Sequence, residues 1–221
     1  MPPKDGIKVL TINLCADWQA PRQDRGDKII DLVRQEQVDI ILTQEGIQGL
    51  GQFDMAKYIA GQLGYSYCQA PAFGVPGFFA YCVCIISSYP IANSQVIGCQ
   101  VAGGDPIDKV PFPGSGRGLL ANIGGMWVMS THLMAPVSQE NKEKQIRCLS
   151  SALPPGIVIW GGDFNFTRID PAYRFIGLDE AVYSGEPQVD MIFSRGLTAK
   201  DARIVFADHY VSDHVGILTA Y

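Results

Sequence analysis

The sequence lacks several features that would assign the chain to a specialised class. Its 221 residues contain no apolar run close to the roughly 18 residues that a membrane-spanning helix needs. Lys and Arg number 17 against 22 Asp and Glu, so the formal net charge is −5 and there is no general excess of basic residues. Charged residues make up 18% of the chain and hydrophobic residues 47%. This composition excludes a disordered or coiled-coil protein and a broadly basic nucleic-acid-binding surface, and it favours a globular α/β protein.

The cysteines form no metal-binding motif. None of the six lies in a CxxC pair or near a histidine-rich segment, so zinc is not expected. Cys82 and Cys84 alternate within one apolar segment, which places both on one face of a predicted strand. Two interpretations of the cysteines stay open: buried small hydrophobic side chains, or one or two disulfides in an exported protein.

The length and the lack of a linker predict one domain over residues 1–221, with a flexible start at 1–6. This start is polar and lacks the charged-then-apolar order of a signal peptide, which favours a cytoplasmic protein. Secretion stays an alternative if a leader has been removed. The residues do not determine the oligomeric state, and we expect a monomer.

The pattern of apolar residues predicts alternating strands and helices. A helical pattern covers 27–37, 53–63 and 138–153, the last ended by two prolines. Strands are predicted at 7–14, 38–43, 65–70, 79–87, 91–101, 119–123, 126–131, 157–160, 190–194, 198–206 and 215–220. Two glycines, Gly124 and Gly125, separate a predicted hairpin, and 102–118 is expected to be a long loop. These elements suggest one mixed α/β domain with two sheets and outer helices.

Polar residues stand beside the apolar strands in an ordered set, at positions where α/β folds bind ligands. Each residue alone is a weak signal, but the order of all of them is hard to obtain by accident. They occur in Thr11-Ile12-Asn13, Gln44-Glu45, Thr131-His132, Gly162-Asp163-Phe164-Asn165, Val189-Asp190 and Ser212-Asp213-His214.

This ordered set resembles the endonuclease/exonuclease/phosphatase superfamily over residues 7 to 220, most specifically in the segments GDFN and SDH. The resemblance implies a deoxyribonuclease-like four-layer sandwich, in which two central mixed β-sheets are flanked by helices. It also implies a divalent-metal-dependent hydrolase that cleaves a phosphate ester by in-line attack of an activated water. Carboxylate oxygens suit Mg²⁺, for which Mn²⁺ can substitute.

The resemblance assigns roles to residues of this chain. Asp163 is expected to orient or deprotonate water, and His214 to contact the phosphate or shuttle a proton, held by either Asp213 or Asp190. The implied catalytic residues are Asp163, His214, His132, Asn165, Asp190 and Asp213; the implied metal ligands are Glu45, Asp213 and Asp190. The implied substrate-binding residues are Asn13, Arg117, Asn165 and Phe78, the last in an apolar loop at 71–79.

The substrate is less well determined. A phosphodiester of DNA or another nucleic acid is the first expectation, and a phospholipid or inositol phosphate is the alternative. The aromatic–Arg pair Phe166 and Arg168 is similar to one in inositol polyphosphate 5-phosphatases, but their second motif lacks its Trp and Arg here. A catalytically dead binding module of the same fold is a further alternative; in such a module the carboxylates and His214 would diverge.

Overall fold

The computed structural model describes residues 6–15, 22–75, 79–99, 117–135, 137–181 and 188–221. Within these residues the strands form two six-stranded sheets. The first sheet contains, in spatial order, β11 (Asp201–Val205), β12 (Gly216–Ala220), β1 (Lys8–Asn13), β2 (Ile40–Gly49), β4 (Phe79–Ser87) and β3 (Ser66–Val75). The second contains β5 (Ile91–Gly98), β6 (Arg117–Ile123), β7 (Met126–His132), β8 (Val158–Asp163), β10 (Asp190–Arg195) and β9 (Asp179–Glu180). Both sheets are mixed, since β1–β2 and β7–β8 pair in parallel and the other neighbours are antiparallel.

Helices cover the outer faces of the two sheets. Helices α1 (Arg22–Glu36) and α2 (Met55–Leu63) pack on the first sheet, in a cluster that joins Ile29 and Ile59 to Leu10. Helix α3 (Gln139–Ser151) and a 3-10 turn at Pro171–Phe175 cover the second sheet around the fully buried Trp160. None of the helices in the described ranges is long and apolar enough to span a membrane.

The central core lies between the sheets. Val9, Leu42 and Ile85 of the first sheet share one buried cluster with Val128 and Ile159 of the second. Strands with apolar side chains on both faces are buried on both sides, as the near-continuous apolar runs indicated. The chain therefore has the expected four-layer α/β sandwich.

The local signals account for most of the element boundaries. Ser138 caps α3 by accepting a hydrogen bond from the Asn141 backbone N–H at 3.3 Å. Gly124 and Gly125 have positive φ angles of 60° and 89° between β6 and β7, so the predicted hairpin is confirmed. Of the predicted flexible start, residues 1–5 lie outside the described residues, and Gly6 donates to the Tyr221 carbonyl at 2.7 Å.

The structure contains both buried thiols and a disulfide, at different cysteines. Cys82 and Cys84 are buried together against the helical layer of the first sheet, as their alternation indicated. Cys99, just after β5, forms a disulfide with Cys148 of α3. The disulfide ties an edge strand of the second sheet to the helix that covers that sheet.

Candidate active site

The candidate site residues lie at one end of the two sheets. Parallel pairing brings the carboxyl ends of β1 and β2 to one edge of the first sheet and those of β7 and β8 to one edge of the second. The Asn13–Asp163 hydrogen bond shows that these two edges adjoin. Asn13, His132 and Asp163 are the last residues of β1, β7 and β8. Strand β10 runs antiparallel to β8, so its first residue, Asp190, pairs with Asp163. Strand β12 runs antiparallel to β1, and His214 precedes its start.

The amide of Asn13 connects the two sheets. Its Nδ2 donates to Glu45 Oε1 at 2.9 Å and to Asp163 Oδ2 at 3.0 Å. Its Oδ1 accepts a hydrogen bond from the Cys15 backbone N–H at 2.9 Å, which fixes the orientation of the amide. Because Asn13 is fully buried, these bonds hold the two carboxylates in a defined arrangement.

A β-bulge places Glu45. The sequence predicted that the second strand ends at Gln44–Glu45, and this was wrong: β2 continues to Gly49, with its pairing to β4 shifted between Thr43 and Gly46. Glu45 has a φ of +55° in this bulge, a device that re-aims a side chain without ending the strand. The buried Gln44 beside it donates to Ser130 Oγ of the second sheet at 3.2 Å, so the bulge is fixed to both sheets.

His132 lies against both carboxylates. Its Nε2 is 3.5 Å from Asp163 Oδ2 and 3.9 Å from Glu45 Oε1. The ligand atoms of Glu45, His132 and Asp163 all lie within 4.8 Å of one another. We call these three residues the first cluster.

Asp163 owes its position to the glycine that precedes it and the asparagine that follows it. Gly162 has a φ of +150°, and a Cβ there would lie 2.0 Å from the Thr131 carbonyl oxygen on the neighbouring strand, so only glycine fits. Asn165 donates its backbone N–H to Asp163 Oδ1 at 2.8 Å and its side-chain Nδ2 to the Leu133 carbonyl at 2.6 Å. Thus Asn165 holds the loop after Asp163; its contact with substrate stays a prediction.

The buried Asp190 and the partly exposed His214 form a pair. His214 Nδ1 lies 2.7 Å from Asp190 Oδ2, and His214 Nε2 lies 3.9 Å from Asp163 Oδ2. Of the two carboxylates that the sequence offered as partner for His214, Asp190 therefore makes the direct contact. The ligand atoms of Asp163, Asp190 and His214 lie within 4.8 Å of one another, and we call these residues the second cluster.

The environment of this pair changes both pKa values. Burial alone would lower the pKa of His214, but the hydrogen bond and charge of Asp190, with the charges of Asp163 and Asp213, raise it to about 9. Burial raises the pKa of Asp190 to about 7, although His214 acts in the opposite direction. The pair therefore holds a proton on His214 more firmly than a free imidazole does.

Asp213 lies beside the two clusters and belongs to neither. Its side chain is exposed, and its Oδ1 accepts a hydrogen bond from the Ser212 hydroxyl at 3.3 Å. Burial, together with Asp213 and Glu45, raises the pKa of the Cys15 thiol to about 12. Because Asp213 hydrogen-bonds to this thiol, its side chain faces the loop that follows Asn13. Its roles as metal ligand and catalytic residue stay predictions.

The two remaining predicted substrate contacts have different outcomes. Arg117 opens β6 directly opposite His132 in the strand register, which places it at the site edge of the second sheet. Its Nη1 donates to the Pro71 carbonyl at 2.8 Å. Phe78 lies outside the described residues.

The first cluster fits a divalent cation. It brings two carboxylates and an imidazole together at the partly open edge of the site, beside the amide of Asn13. In the second cluster, Asp190 Oδ2 is engaged by His214, while the buried Asp190 Oδ1 has no hydrogen-bond partner in the described part of the chain. Oxygen-rich donor sets of this kind suit Mg²⁺ or Mn²⁺. Of the three metal ligands predicted from sequence, Glu45 has the surroundings that best suit a divalent cation.

Sequence reasoning missed two residues that support the site. Arg25 is fully buried on the face of α1 that also buries Ile29 and Val33. Its spacing of four residues from Ile29 was a usable signal, because a cation in an apolar helical stripe must have buried partners. Cys15, which orients Asn13 through its backbone N–H, could not be recognised from its residue type.

A cavity of about 390 Å³ lies away from this site, at the other end of β10. It is lined by residues of β9, β10 and β11 and by the chain before β11, including Asp179, Ser194 and Asp201. Neither cluster contributes to its lining.

Comparison with known proteins identifies the family. The family model described as the endonuclease/exonuclease/phosphatase family matches residues 10–214. The chain belongs to this family. Its superfamily consists of metal-dependent hydrolytic phosphoesterases. A sequence search of curated proteins gave no match.

Solved structures share the fold of this family member at low identity. An endonuclease/exonuclease/phosphatase family protein from Leptotrichia buccalis is 21% identical, with a TM-score of 0.75 over 96% of this chain and 98% of that one. The human nocturnin catalytic domain with bound sulfate anion is 18% identical, with a TM-score of 0.72 over 97% of this chain and 93% of that one. D. rerio TDP2 complexed with a single-strand DNA product is 15% identical, with a TM-score of 0.69 over 97% and 98% of the two chains.

Proposed function

We propose that this protein is a Mg²⁺-dependent phosphodiesterase that acts on nucleic acid. The observation that carries the proposal is the position of Asp163, whose Oδ2 lies 3.0 Å from the Asn13 amide nitrogen, 3.5 Å from His132 Nε2 and 3.9 Å from His214 Nε2. A carboxylate held among an amide and two imidazoles at a strand end is suited to orienting a water molecule against a phosphate. The convergence of both clusters on Asp163 is also the reverse of what a dead binding module predicts.

The first step is the binding of the substrate phosphate, with a cation between it and the carboxylates of the site. Glu45 would hold the cation together with Asp163 and His132, since the ligand atoms of the three residues lie within 4.8 Å of one another. When bound, the cation neutralises charge on the non-bridging phosphate oxygens. Arg117, opposite His132 in the register, would add a bidentate cation toward the phosphate. Asn13 and Asn165 would hold phosphate oxygens or neighbouring ligands.

The second step is proton transfer around the scissile bond. Asp163 would accept a proton from the attacking water or orient that water in line. His214, kept protonated by Asp190, would donate a hydrogen bond or proton to a phosphate oxygen. Asp213 would contribute as a further carboxylate at the edge of the site.

Nucleic acid is the preferred substrate for two reasons. The TDP2 neighbour was crystallised with a single-strand DNA product, and the nocturnin neighbour with a sulfate, a tetrahedral anion of the same shape as phosphate. Both structures align over 97% of this chain, which supports carrying this substrate class over to it.

A phospholipid or inositol phosphate is the second candidate, favoured by two exposed apolar side chains. Leu50 is 81% exposed just after β2, and Ile169 is 89% exposed in the segment that follows Asp163. Both segments leave the sheets at the site edge. Apolar side chains in such positions can enter a lipid surface, although single exposed hydrophobics are also common in soluble proteins.

The test is a parallel assay of supercoiled DNA, abasic and 5′-tyrosyl oligonucleotides, sphingomyelin and inositol phosphates with Mg²⁺. We expect hydrolysis of a nucleic-acid phosphodiester that EDTA abolishes and Mg²⁺ or Mn²⁺ restores. Asp163→Asn should reduce this rate by about 10³-fold or more, as loss of a group that acts in the transition state does. Asp201→Asn, at the exposed start of β11 on the far side of the first sheet, is the matched control and should keep the wild-type rate. Cleavage of lipid alone would select the second candidate, and activity that persists in Asp163→Asn would refute the proposal.

A further inference from the structure

A buried guanidinium lies behind the candidate site. Arg25 is in the first part of α1, and its side chain is 0% exposed. Burial of a cation is costly unless its donors are satisfied by hydrogen bonds. Its Nη1, which carries two hydrogens, lies within hydrogen-bond distance of three backbone carbonyl oxygens, those of Leu14 at 2.7 Å, Val211 at 2.9 Å and Cys15 at 3.3 Å. Its Nε and Nη2 have no hydrogen-bond partner among the described residues.

The three carbonyls belong to two separate loops. Leu14 and Cys15 directly follow Asn13 at the end of β1, and Val211 precedes Ser212, Asp213 and His214 before β12. Arg25 and Val211 are 186 residues apart in sequence. A single side chain of α1 therefore joins the loop that leaves the site to the loop that enters it.

On the first loop, the contact is transmitted to Asn13 through Cys15. Cys15 has a φ of +39°, an unfavourable conformation for a residue other than glycine, which must be held by its surroundings. In that conformation the Cys15 backbone N–H bonds to Asn13 Oδ1, which directs Asn13 Nδ2 toward Glu45 and Asp163. Loss of the Arg25 contact would allow Cys15 to relax and the amide of Asn13 to turn.

On the second loop, the contact is transmitted to His214 through Ser212. The Ser212 hydroxyl accepts the backbone N–H of His214 at 3.1 Å, and both Val211 and Ser212 are fully buried. This turn sets the position from which the His214 ring reaches Asp190 at 2.7 Å.

We propose that Arg25 is a positioning residue that holds the Asn13 loop and the His214 loop in their catalytic arrangement. The inference deepens the proposed function and rests on it for its effect on turnover, but the clamp itself is a property of the fold. Arginine suits this position because one nitrogen of its planar head can donate to carbonyls of both loops, although burial lowers the pKa of the guanidinium. It would not touch the substrate.

The activity test compares Arg25→Met and Arg25→Lys with a matched control on the same helix. Arg34 also donates to a backbone carbonyl, that of Gln62 at 3.1 Å, but it is exposed and far along α1 from the site, so Arg34→Met is the control. On bis(4-nitrophenyl) phosphate with Mg²⁺, we expect Arg25→Met to lower kcat by about 10- to 100-fold with KM nearly unchanged, the range that a misplacement near 1 Å produces. Arg25→Lys should lie between Arg25→Met and wild type, and Arg34→Met should match wild type.

A double variant separates positioning from a general loss of stability. If Arg25 acts partly through His214, then Arg25→Met should reduce kcat by a clearly smaller factor in a His214→Ala background than in wild type. Equal factors in both backgrounds, at a temperature where circular dichroism shows every variant folded, would overturn the positioning role.

Amide hydrogen exchange tests the clamp without any activity. In Arg25→Met, exchange should be at least about tenfold faster at Cys15 and His214, whose N–H groups bond within the two loops, and unchanged in Arg34→Met. If Arg25→Met does not fold, Arg25→Lys carries the same measurement with a smaller increase. Wild-type exchange rates at both amides in the folded variants would overturn the clamp. If the wild-type protein cleaves no phosphate ester, the proposed function fails, and exchange still decides whether Arg25 joins the loops.

Discussion

Gly162 offers a test of the geometry that places Asp163. Strand β8 lies parallel to β7, and Gly162 pairs with Thr131 in the register. A Cβ at Gly162 would lie 2.0 Å from the Thr131 carbonyl oxygen and 2.9 Å from its carbonyl carbon, distances that require the backbone to move. In Gly162→Ala we expect this crowding and the positive φ to lower the free energy of unfolding by about 3 kcal/mol or more. For a chain of this size, that corresponds to a fall in Tm of about 6–12 °C.

The variant should also lose activity beyond its loss of stability, because His132 and Asp163 are the next pair in the same register. At a temperature where the protein is folded, kcat for a small phosphodiester should fall by about tenfold or more, as expected when reacting groups are displaced by an ångström.

The matched control is Gly156→Ala, just before the opposite end of β8. Gly156 also has a positive φ, +99°, but a Cβ there would meet no atom within 4 Å. It should therefore show only the conformational cost of about 1 kcal/mol and no change in kcat. Thermal unfolding by circular dichroism measures both variants. Equal Tm values for Gly162→Ala and Gly156→Ala would refute the close approach of the two strands.

Three further predictions follow from contacts around the site and in the second sheet. In metal-free protein followed by NMR, the imidazole of His214 should titrate near pH 9, and in Asp190→Asn at a clearly lower pH, because the hydrogen bond and charge of Asp190 are lost while burial still favours the neutral ring; an unchanged titration would contradict the pairing. Glu45→Gln should weaken Mn²⁺ binding by about tenfold or more in calorimetry, because one charged ligand is lost. Equal affinity of the variant and the wild type would exclude Glu45 as a metal ligand. Reduction of the Cys99–Cys148 disulfide, which spans 49 residues, should lower the free energy of unfolding by about 4 kcal/mol on a chain-entropy basis; the same Tm with and without reductant would show that the bond does not form.

Sequence patterns predicted the elements whose signals are local. Helix α3 was expected at 138–153 and occupies Gln139–Ser151, because Ser138 provides a cap and two prolines stop the helix. Strand β4 was expected at 79–87, its observed extent, since a continuous apolar run bounded by turn residues has few alternatives.

Elements that depend on tertiary contacts were predicted less well. Helix α1 begins at Arg22 rather than at 27, because its first turns lack an apolar repeat and are tied to the fold by the hydrogen bonds of Arg25 to two other loops. The extension of β2 beyond Glu45 needs the pairing with β4, which no property of the Gln44–Glu45 segment reveals. The two-residue β9 and the pairing of Cys99 with Cys148 likewise depend on which segments meet in space.

For the candidate site, the sequence predicted which residues come together better than it predicted which side chains contact each other. The order of polar strand-end residues was sufficient to place Asn13, Glu45, His132, Asp163 and His214 in one region, since strand ends of a sheet share an edge. Which carboxylate holds His214 was left between Asp190 and Asp213, and the antiparallel register of β10 with β8 decides for Asp190. Residue type alone could not make that choice.

Glu45, with Asp163 and His132, is proposed to hold a divalent cation at the shared edge of the two sheets. The most direct measurement is anomalous diffraction from a crystal soaked in Mn²⁺, phased on the protein. A peak within about 2.5 Å of a Glu45 carboxylate oxygen is predicted. A Mn²⁺ peak that appears only at other carboxylates, such as Asp179 and Asp201 at the far cavity, would contradict this assignment. So would a protein saturated with Mn²⁺ in which Glu45 binds no metal.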